Sequence, residues 1–407
     1  MRLLHYGLAV AAAFALLPGC SNEELAGPAI PEYIPGDSEV EIRFATQTVD
    51  VSTTVDKRLV VDDNTRMEMG VFCLARAKQE NNAPDINWFA EEDNYDNCLM
   101  KNVKATKNGR TLTWEGQYFY PISQYYMYEF YGYYPYSEEV TYTSTPESHR
   151  AVVNYTLDGT QDIVWGRATQ EDKFAYSARY FREQGVDAQI PIIGANSVDE
   201  EGNPHPGMKH LLTRLKFKVT TGSEPGGDGE KVFDDAALVS VKSISIVDAV
   251  QNVGLVVADW EMRGDRSKDN WHNRLTVVGD TVRTEFKLRE SDTDDSEMRP
   301  VPIPTELNTT KEFGGSIMLL PAGSYQMKVV LHKADGSNDG AGTDAESETL
   351  IRVTSVVGEP GTGVKPLFNA GYTYTVTIKV NDFKEAKAEA NVSEWQVSDY
   401  NPGVVEL

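Results

Sequence analysis

Cysteine and histidine are scarce in this chain: three cysteines and six histidines in 407 residues. After Cys20 only Cys73 and Cys98 remain, too few for a disulfide framework. An oxidising compartment permits one bridge between them, and the sequence alone decides neither for nor against it. Cys73 lies in the run Gly70-Val71-Phe72-Cys73-Leu74, which reads as a buried strand. Of His5, His149, His205, His210, His272 and His332, only His205 and His210 approach metal-ligand spacing, and they flank a proline-glycine linker. H-E-x-x-H, G-x-S-x-G and a phosphate-binding Gly-Lys loop are all missing, which removes the common hydrolase and nucleotide chemistries. A catalytic carboxylate pair leaves no local mark, and most of the 62 acids must be solvated surface. No enzymatic activity and no cofactor are expected. Basic residues are also in deficit, with 38 Lys and Arg against those 62 acids and a formal net charge of −24. That balance argues against nucleic acid and anionic lipid as partners. Long apolar runs are lacking too. The stretch from Leu8 to Leu17 is too short for a spanning helix, which needs about 20 apolar residues.

That short run has another use. Arg2 precedes it and small residues end it, the layout of a secretory signal. Leu17-Pro18-Gly19-Cys20 resembles a bacterial lipobox, with Pro18 in place of the usual small residue. The resemblance implies cleavage before Cys20 and attachment of lipid (palmitate and related chains) to its thiol. Each buried CH2 of such a chain contributes about 0.8 kcal/mol to membrane binding. Ser21-Asn22-Glu23-Glu24 resembles the acidic export tag of outer-surface lipoproteins in Bacteroides-like bacteria, implying a surface-exposed place on the cell outer membrane. Pro28, Pro31, Pro35 and Gly36 then form an extended tether. Residues 1–19 are thus expected to be a signal peptide and 20–36 a lipidated tether. Loss of Arg2, the one charged residue before Cys20, takes the net charge from −24 to −25.

The rest reads mostly as strand. In EVEIRFAT, Val40, Ile42 and Phe44 alternate with polar residues. SYQMKVVL (324–331), TLIRVTSVV (349–357) and YTYTVTIKV (372–380) are β-branched or aromatic runs separated by Gly, Asp, Asn and Pro. Only Glu171 to Arg182 suggests a few helical turns. Short strands at close spacing predict β-sandwiches, and the length after the tether suits two domains. The polar segment NSVDEEGNPHPG (196–207) is the best boundary, placing an N-terminal β-sandwich at 37–200 and a C-terminal one at 205–407.

Several motifs bear on chemistry. The segment 335–346 places Asp335, Ser337, Asp339 and Glu346 at calcium-loop spacing. Its flanks read as strands and not helices, so a hairpin loop is the favoured reading and no metal is expected. Arg263-Gly264-Asp265 is a three-residue integrin-type match of the kind that arises by chance. The run YFYPISQYYMYEFYGYYPY (118–136) reads as strands with aromatics on both faces, half core and half surface. A sugar-stacking platform is its functional alternative. His210 is expected to be structural, since neither an acid partner nor a nucleophile can be identified for it.

These landmarks, in this order, resemble the fimbrillin family of Bacteroides-type bacteria, the major and minor fimbrial subunits. The lipobox Cys20 comes first, then the strand containing EIRFAT. MGVFCL, EFYGYYPY and DIVWGRA follow, then KHLLTRLKFKV, LPAGSY, FNAGYTYTVTIKV and the closing VSEWQV. The resemblance implies an all-β chain of two transthyretin-like β-sandwich domains in tandem. It also implies a structural subunit or anchor of a cell-surface fimbria (pilus) that supports cell adhesion. Other fimbrial subunits, the outer membrane through the lipid, and a host or bacterial surface ligand would be its partners. In related fimbrillins an arginine-specific protease removes the first strand, here near 38–50. The polar connection 51–66 then offers Arg58 and, second, Arg66. The donor strand of a neighbouring copy would be the C-terminal segment with Trp395, Val397, Val404 and Val405. The alternative reading is an outer-membrane surface lipoprotein that binds glycan.

Overall fold

A computed structural model describes residues 40–42, 66–77, 88–89, 97–108, 111–121, 126–145, 148–168, 176–178, 180–181, 197–198, 204–205, 208–222, 232–259, 274–279, 281–289, 298–335, 344–354 and 368–394. The strands of the first half are β1 (Val40–Glu41), β2 (Met67–Ala77), β3 (Cys98–Asn108), β4 (Thr111–Trp114), β5 (Phe119–Tyr120), β6 (Tyr126–Tyr134), β7 (Val140–Thr145), β8 (Ser148–Thr156) and β9 (Val164–Ala168). Next come β10 (Ser197–Val198), β11 (Pro204–His205), β12 (Lys209–His210), β13 (Thr213–Thr221), β14 (Val239–Val250), β15 (Asn252–Asp259) and β16 (Leu275–Val277). The last are β17 (Arg283–Lys287), β18 (Val301–Pro302), β19 (Thr310–Leu319), β20 (Ser324–Lys333), β21 (Ala345–Thr354), β22 (Tyr372–Asp382) and β23 (Glu385–Glu394). The chain is therefore all-β among the described residues. Helical geometry includes the 3-10 turn Ala236–Leu238 and a turn in which the Phe181 N–H donates to Ser177 O at 3.2 Å.

Two sheets pack face to face around the first part of the core. One has six strands in the order β12-β9-β6-β2-β3-β4, and the other four in the order β16-β15-β8-β7. Phe72 on β2 meets Tyr142 on β7 edge-on at 6.4 Å, and the Trp165 indole N–H donates to Val257 O on β15 at 2.8 Å. A second pair comprises β19-β13-β22-β23 and a sheet ordered β17-β14-β20-β21, with β18 added on β14. Phe368 meets Tyr325 of β20 at a tilt and Tyr374 of β22 edge-on, with ring centroids 4.7 Å apart in each case, and so joins the two sheets. Alternation works as expected here. Tyr325, Met327, Val329 and Leu331 are buried on β20, as are Tyr374, Val376, Ile378 and Val380 on β22. Among the described residues the β13–β22 pairing is parallel and every other pairing is antiparallel.

The sheets do not follow the chain in two blocks. β14 belongs to the second pair, yet β15, which starts after the single residue Gln251, belongs to the first and pairs with β8 along its length. Hydrogen bonds between 148–156 and 252–259 therefore span the segment 196–207. That segment itself forms a small hairpin, β10 against β11.

Two buried features of the six-stranded sheet carry measurable weight. Glu129 on β6 and Arg167 on β9 form an ion pair at 3.0 Å with both side chains 1% exposed, and the Tyr131 hydroxyl donates to the same carboxylate at 2.8 Å. Arg167→Met should lower stability by about 3–5 kcal/mol, because it strands a buried carboxylate. Adding Glu129→Leu should recover most of that loss; urea unfolding of both variants checks this. Gly70 on β2 faces Tyr133, its cross-strand partner, and an added Cβ would lie 2.0 Å from the tyrosine ring. The ring is pinned, since its hydroxyl donates to Asn102 Oδ1 at 2.6 Å. Gly70→Ala should therefore cost about 1–3 kcal/mol through overpacking, read as a lower urea midpoint.

Candidate functional site: the seat of the first strand

The aromatic run supplies the site. On β6, Tyr131 and Tyr133 share a face with Phe72 and Gly70 of β2, toward the four-stranded sheet. Tyr128 and Phe130 lie on the opposite face, in register with Ala75 and Cys73. The expectation of a half-exposed strand is corrected here: Tyr128, Phe130, Tyr131 and Tyr133 are all 1% exposed or less. Both faces are covered, because a six-stranded sheet with aromatics on each side would otherwise present a large apolar surface to water. Half-buried rings remain at Tyr118, Phe119, Tyr134 and Tyr136. The described part of the run is thus mainly core, as the packing reading expects.

The outer cover is built from small pieces. Tyr120 of β5 lies 5.7 Å from Tyr128 and stacks on Phe181 at 5.2 Å, while Tyr176 meets Phe130 edge-on at 5.8 Å. β1 closes the layer. It pairs antiparallel with β5, Val40 opposite Tyr120 and Glu41 opposite Phe119. The pairing continues as the Ile42 N–H donates to Tyr118 O at 2.7 Å, and Gln117 Nε2 donates to the Glu41 carboxylate at 3.3 Å. Ile42 is 2% exposed and Val40 packs against the same core. Full burial of an isoleucine contributes about 1.5–3 kcal/mol. Beneath it the Tyr120 hydroxyl is buried with no hydrogen-bond partner, and burial pushes its pKa well up. The described part of β1 is therefore paired with β5 and seated on an aromatic floor.

The sequence-derived candidates fall as follows. Arg66 is exposed and immediately precedes β2. Cys20, Arg58, Trp395, Val397, Val404 and Val405 lie outside the described residues, as do the signal peptide, the tether and the Arg-Gly-Asp triplet. β23 ends at Glu394, directly before the candidate donor segment. Of the calcium-loop residues, Ser337 and Asp339 are outside the described set. The loop is flanked by β20 and β21, paired antiparallel as a hairpin, and Glu346 is ion-paired with Lys242. No cluster of three or more His, Cys, Asp or Glu suited to a metal occurs among the described residues. Cys73 and Cys98 are free thiols. Burial raises both, Cys98 to about 12, so neither is a ready thiolate.

His210 does have an acid partner, which local sequence could not reveal. Its Nδ1 lies 2.8 Å from Asp162 Oδ2, with the side chains 7% and 0% exposed. The pair ties β12 to the entry of β9, a structural task. Sequence reading also missed Tyr120, Tyr176 and Phe181 as the floor under β1. The available signal was β6 itself, whose aromatics occupy both parities and so demand a second cover.

Comparison with known proteins adds the lineage. Matches among solved structures include a Bacteroides uniformis protein provisionally described as a cell adhesion protein, at 16% identity, covering 88% of this chain and 98% of that one with a TM-score of 0.40. A fimbrilin of Porphyromonas gingivalis W83 shows 11% identity over 88% and 98% of the two chains, with a TM-score of 0.38. The fimbrial anchor protein Mfa2 from Porphyromonas gingivalis shows 8% identity over 88% and 99%, with a TM-score of 0.28. No match was found among curated proteins. The fimbrillin-like family model matches residues 60–395, most of the chain and nearly all of its described strands, so the chain belongs to the fimbrillin-like family, a structural and non-enzymatic one.

Proposed function

We propose that the chain is a structural subunit or anchor of a cell-surface fimbria, exported as a lipoprotein through Cys20 and polymerised by strand exchange. Family membership supports the fimbrial role. The observation that carries the assembly step is the seat of β1. If the connection 51–66 is cut, β1 is no longer covalently held to the rest of the fold, and among the described residues its bonds to β5 and the packing of Val40 and Ile42 retain it. Its departure would bare the backbone N–H and C=O groups of β5 and an apolar groove at Ile42. A strand from a neighbouring copy fills such a groove by β-addition. The segment after Glu394 is the proposed donor, with Trp395, Val397, Val404 and Val405 as its apolar residues. Arg58 is the favoured cut and Arg66 the second; the exposure of Arg66 supports its access. Two transthyretin-like sandwiches remain the proposed domain type. Other fimbrial subunits are the proposed partners, and the outer membrane holds the chain through its lipid.

Trimming of the purified precursor with a trypsin-like protease should give a new N-terminus at residue 59 or 67 and SDS-resistant ladders. Deletion of 396–407 should abolish those ladders. A trimmed chain that stays monomeric at high concentration would refute exchange. Cys20→Ala should remove incorporation of a clickable fatty acid and release the protein from the membrane fraction; equal label in the variant would refute the anchor.

A further inference from the structure

One end of the β17-β14-β20-β21 sheet carries a cleft of about 550 Å³. Its floor is apolar, with Leu319, Ala249 and Tyr325 buried beneath it. Its rim carries Arg283, Arg352, Asp248 and Gln326, all exposed. Register places two of these in one row: Arg352 on β21 is directly opposite Gln326 on β20, which is opposite Val247 on β14. Arg283 reaches in from β17. A bulge between Ile246 and Ala249 puts Asp248 at φ +58°, and its carbonyl accepts from Arg283 Nη1 at 2.8 Å.

The arginines are unusual in their surroundings. Lys242, Lys328 and Lys333, on the same sheet, are each held by a carboxylate. Arg283 instead bonds a backbone carbonyl, and Arg352 Nε bonds the Ser324 hydroxyl at 3.2 Å. Among the described residues neither guanidinium is ion-paired, in a chain with 62 acids and 38 bases. Two guanidiniums on one cleft suit a carboxylate or other oxyanion, which arginine grips with paired N–H donors. The volume falls in the range of about 300–1,000 Å³ that suits small ligands. Asp248 also lines the cleft and narrows the class. It repels a dianion such as phosphate but accepts hydroxyl hydrogens, and the net charge of −24 repels long polyanions. A monoanion that carries hydroxyls satisfies every group on the rim.

We propose that this cleft binds an acid sugar, with Arg283 and Arg352 on its carboxylate and Asp248 and Gln326 on its hydroxyls. The site lies apart from the seat of β1 and does not depend on assembly. Galacturonate, glucuronate and N-acetylneuraminate, added to the full mature chain as monomer, are the probes, with binding read by saturation-transfer NMR and calorimetry. At least one should bind, galactose should bind at least about tenfold more weakly, and inorganic phosphate should not displace the acid sugar at equal concentration. Arg283→Gln and Arg352→Gln should each weaken binding by about tenfold or more with an unchanged melting temperature, since both side chains are exposed. Lys328→Gln should leave binding unaltered. The proposal is overturned if no acid sugar binds, if galactose binds equally, or if both arginine variants bind as before. Displacement by phosphate would reveal a generic anion patch, and tighter binding of a tetraglutamate peptide would reveal a protein partner; either result also overturns it.

Discussion

The six-stranded sheet must be covered on both faces, and most of the N-terminal architecture follows from that need. An antiparallel sheet usually buries one face and wets the other. Here Tyr131 and Tyr133 point one way and Tyr128 and Phe130 the other, so neither face tolerates water. The two covers differ in kind. The inner one is a sheet of four strands, fixed by β15 pairing along β8 and by the Trp165 bond to Val257. The outer one is assembled from β5, β1 and the turn at Tyr176 to Phe181. A continuous sheet opens only with the whole fold, whereas a small pairing such as β1 with β5 opens on its own. The strand exchange proposed above rests on that asymmetry.

Charge is organised by the same separation of inside from outside. Two sets of inner charges are closed on one another: Glu129 with Arg167 and Tyr131, and Asp162 with His210. Such pairs add little net stability over apolar replacements, but they penalise any register that separates their members. Outside, a strong negative excess keeps single copies soluble. Against that background the two guanidiniums at the end of β17 and β21 are a local inversion of sign. A cleft of this kind gains selectivity from the repulsion around it as well as from its own donors.

The path of the chain ties the two pairs of sheets together. β14 and β15 are separated by one residue and serve different sheets. Loss of packing in either pair is thereby felt by the other through a connection too short to yield. The parallel β13–β22 pairing adds a long-range link within the second pair, its partners lying far apart in sequence.

The sequence by itself determined that the chain is all-β, that Tyr325 to Leu331 and Tyr374 to Val380 alternate into a core, and that no enzyme motif is present. These are local properties, set by side-chain period and composition. Its ordered fragments, from MGVFCL to FNAGYTYTVTIKV, also carried the family resemblance that the match over 60–395 establishes. Only the tertiary structure decided that 252–259 returns to pair with 148–156, that Asp162 meets His210 across 48 residues, and that β1 rests on Tyr120 over a second buried face. The reason is physical. Alternation reports which face a residue takes and not which strand lies beside it. A strand buried on both faces has no alternation to read, and bulges such as the one at Asp248 shift register where no local pattern marks it.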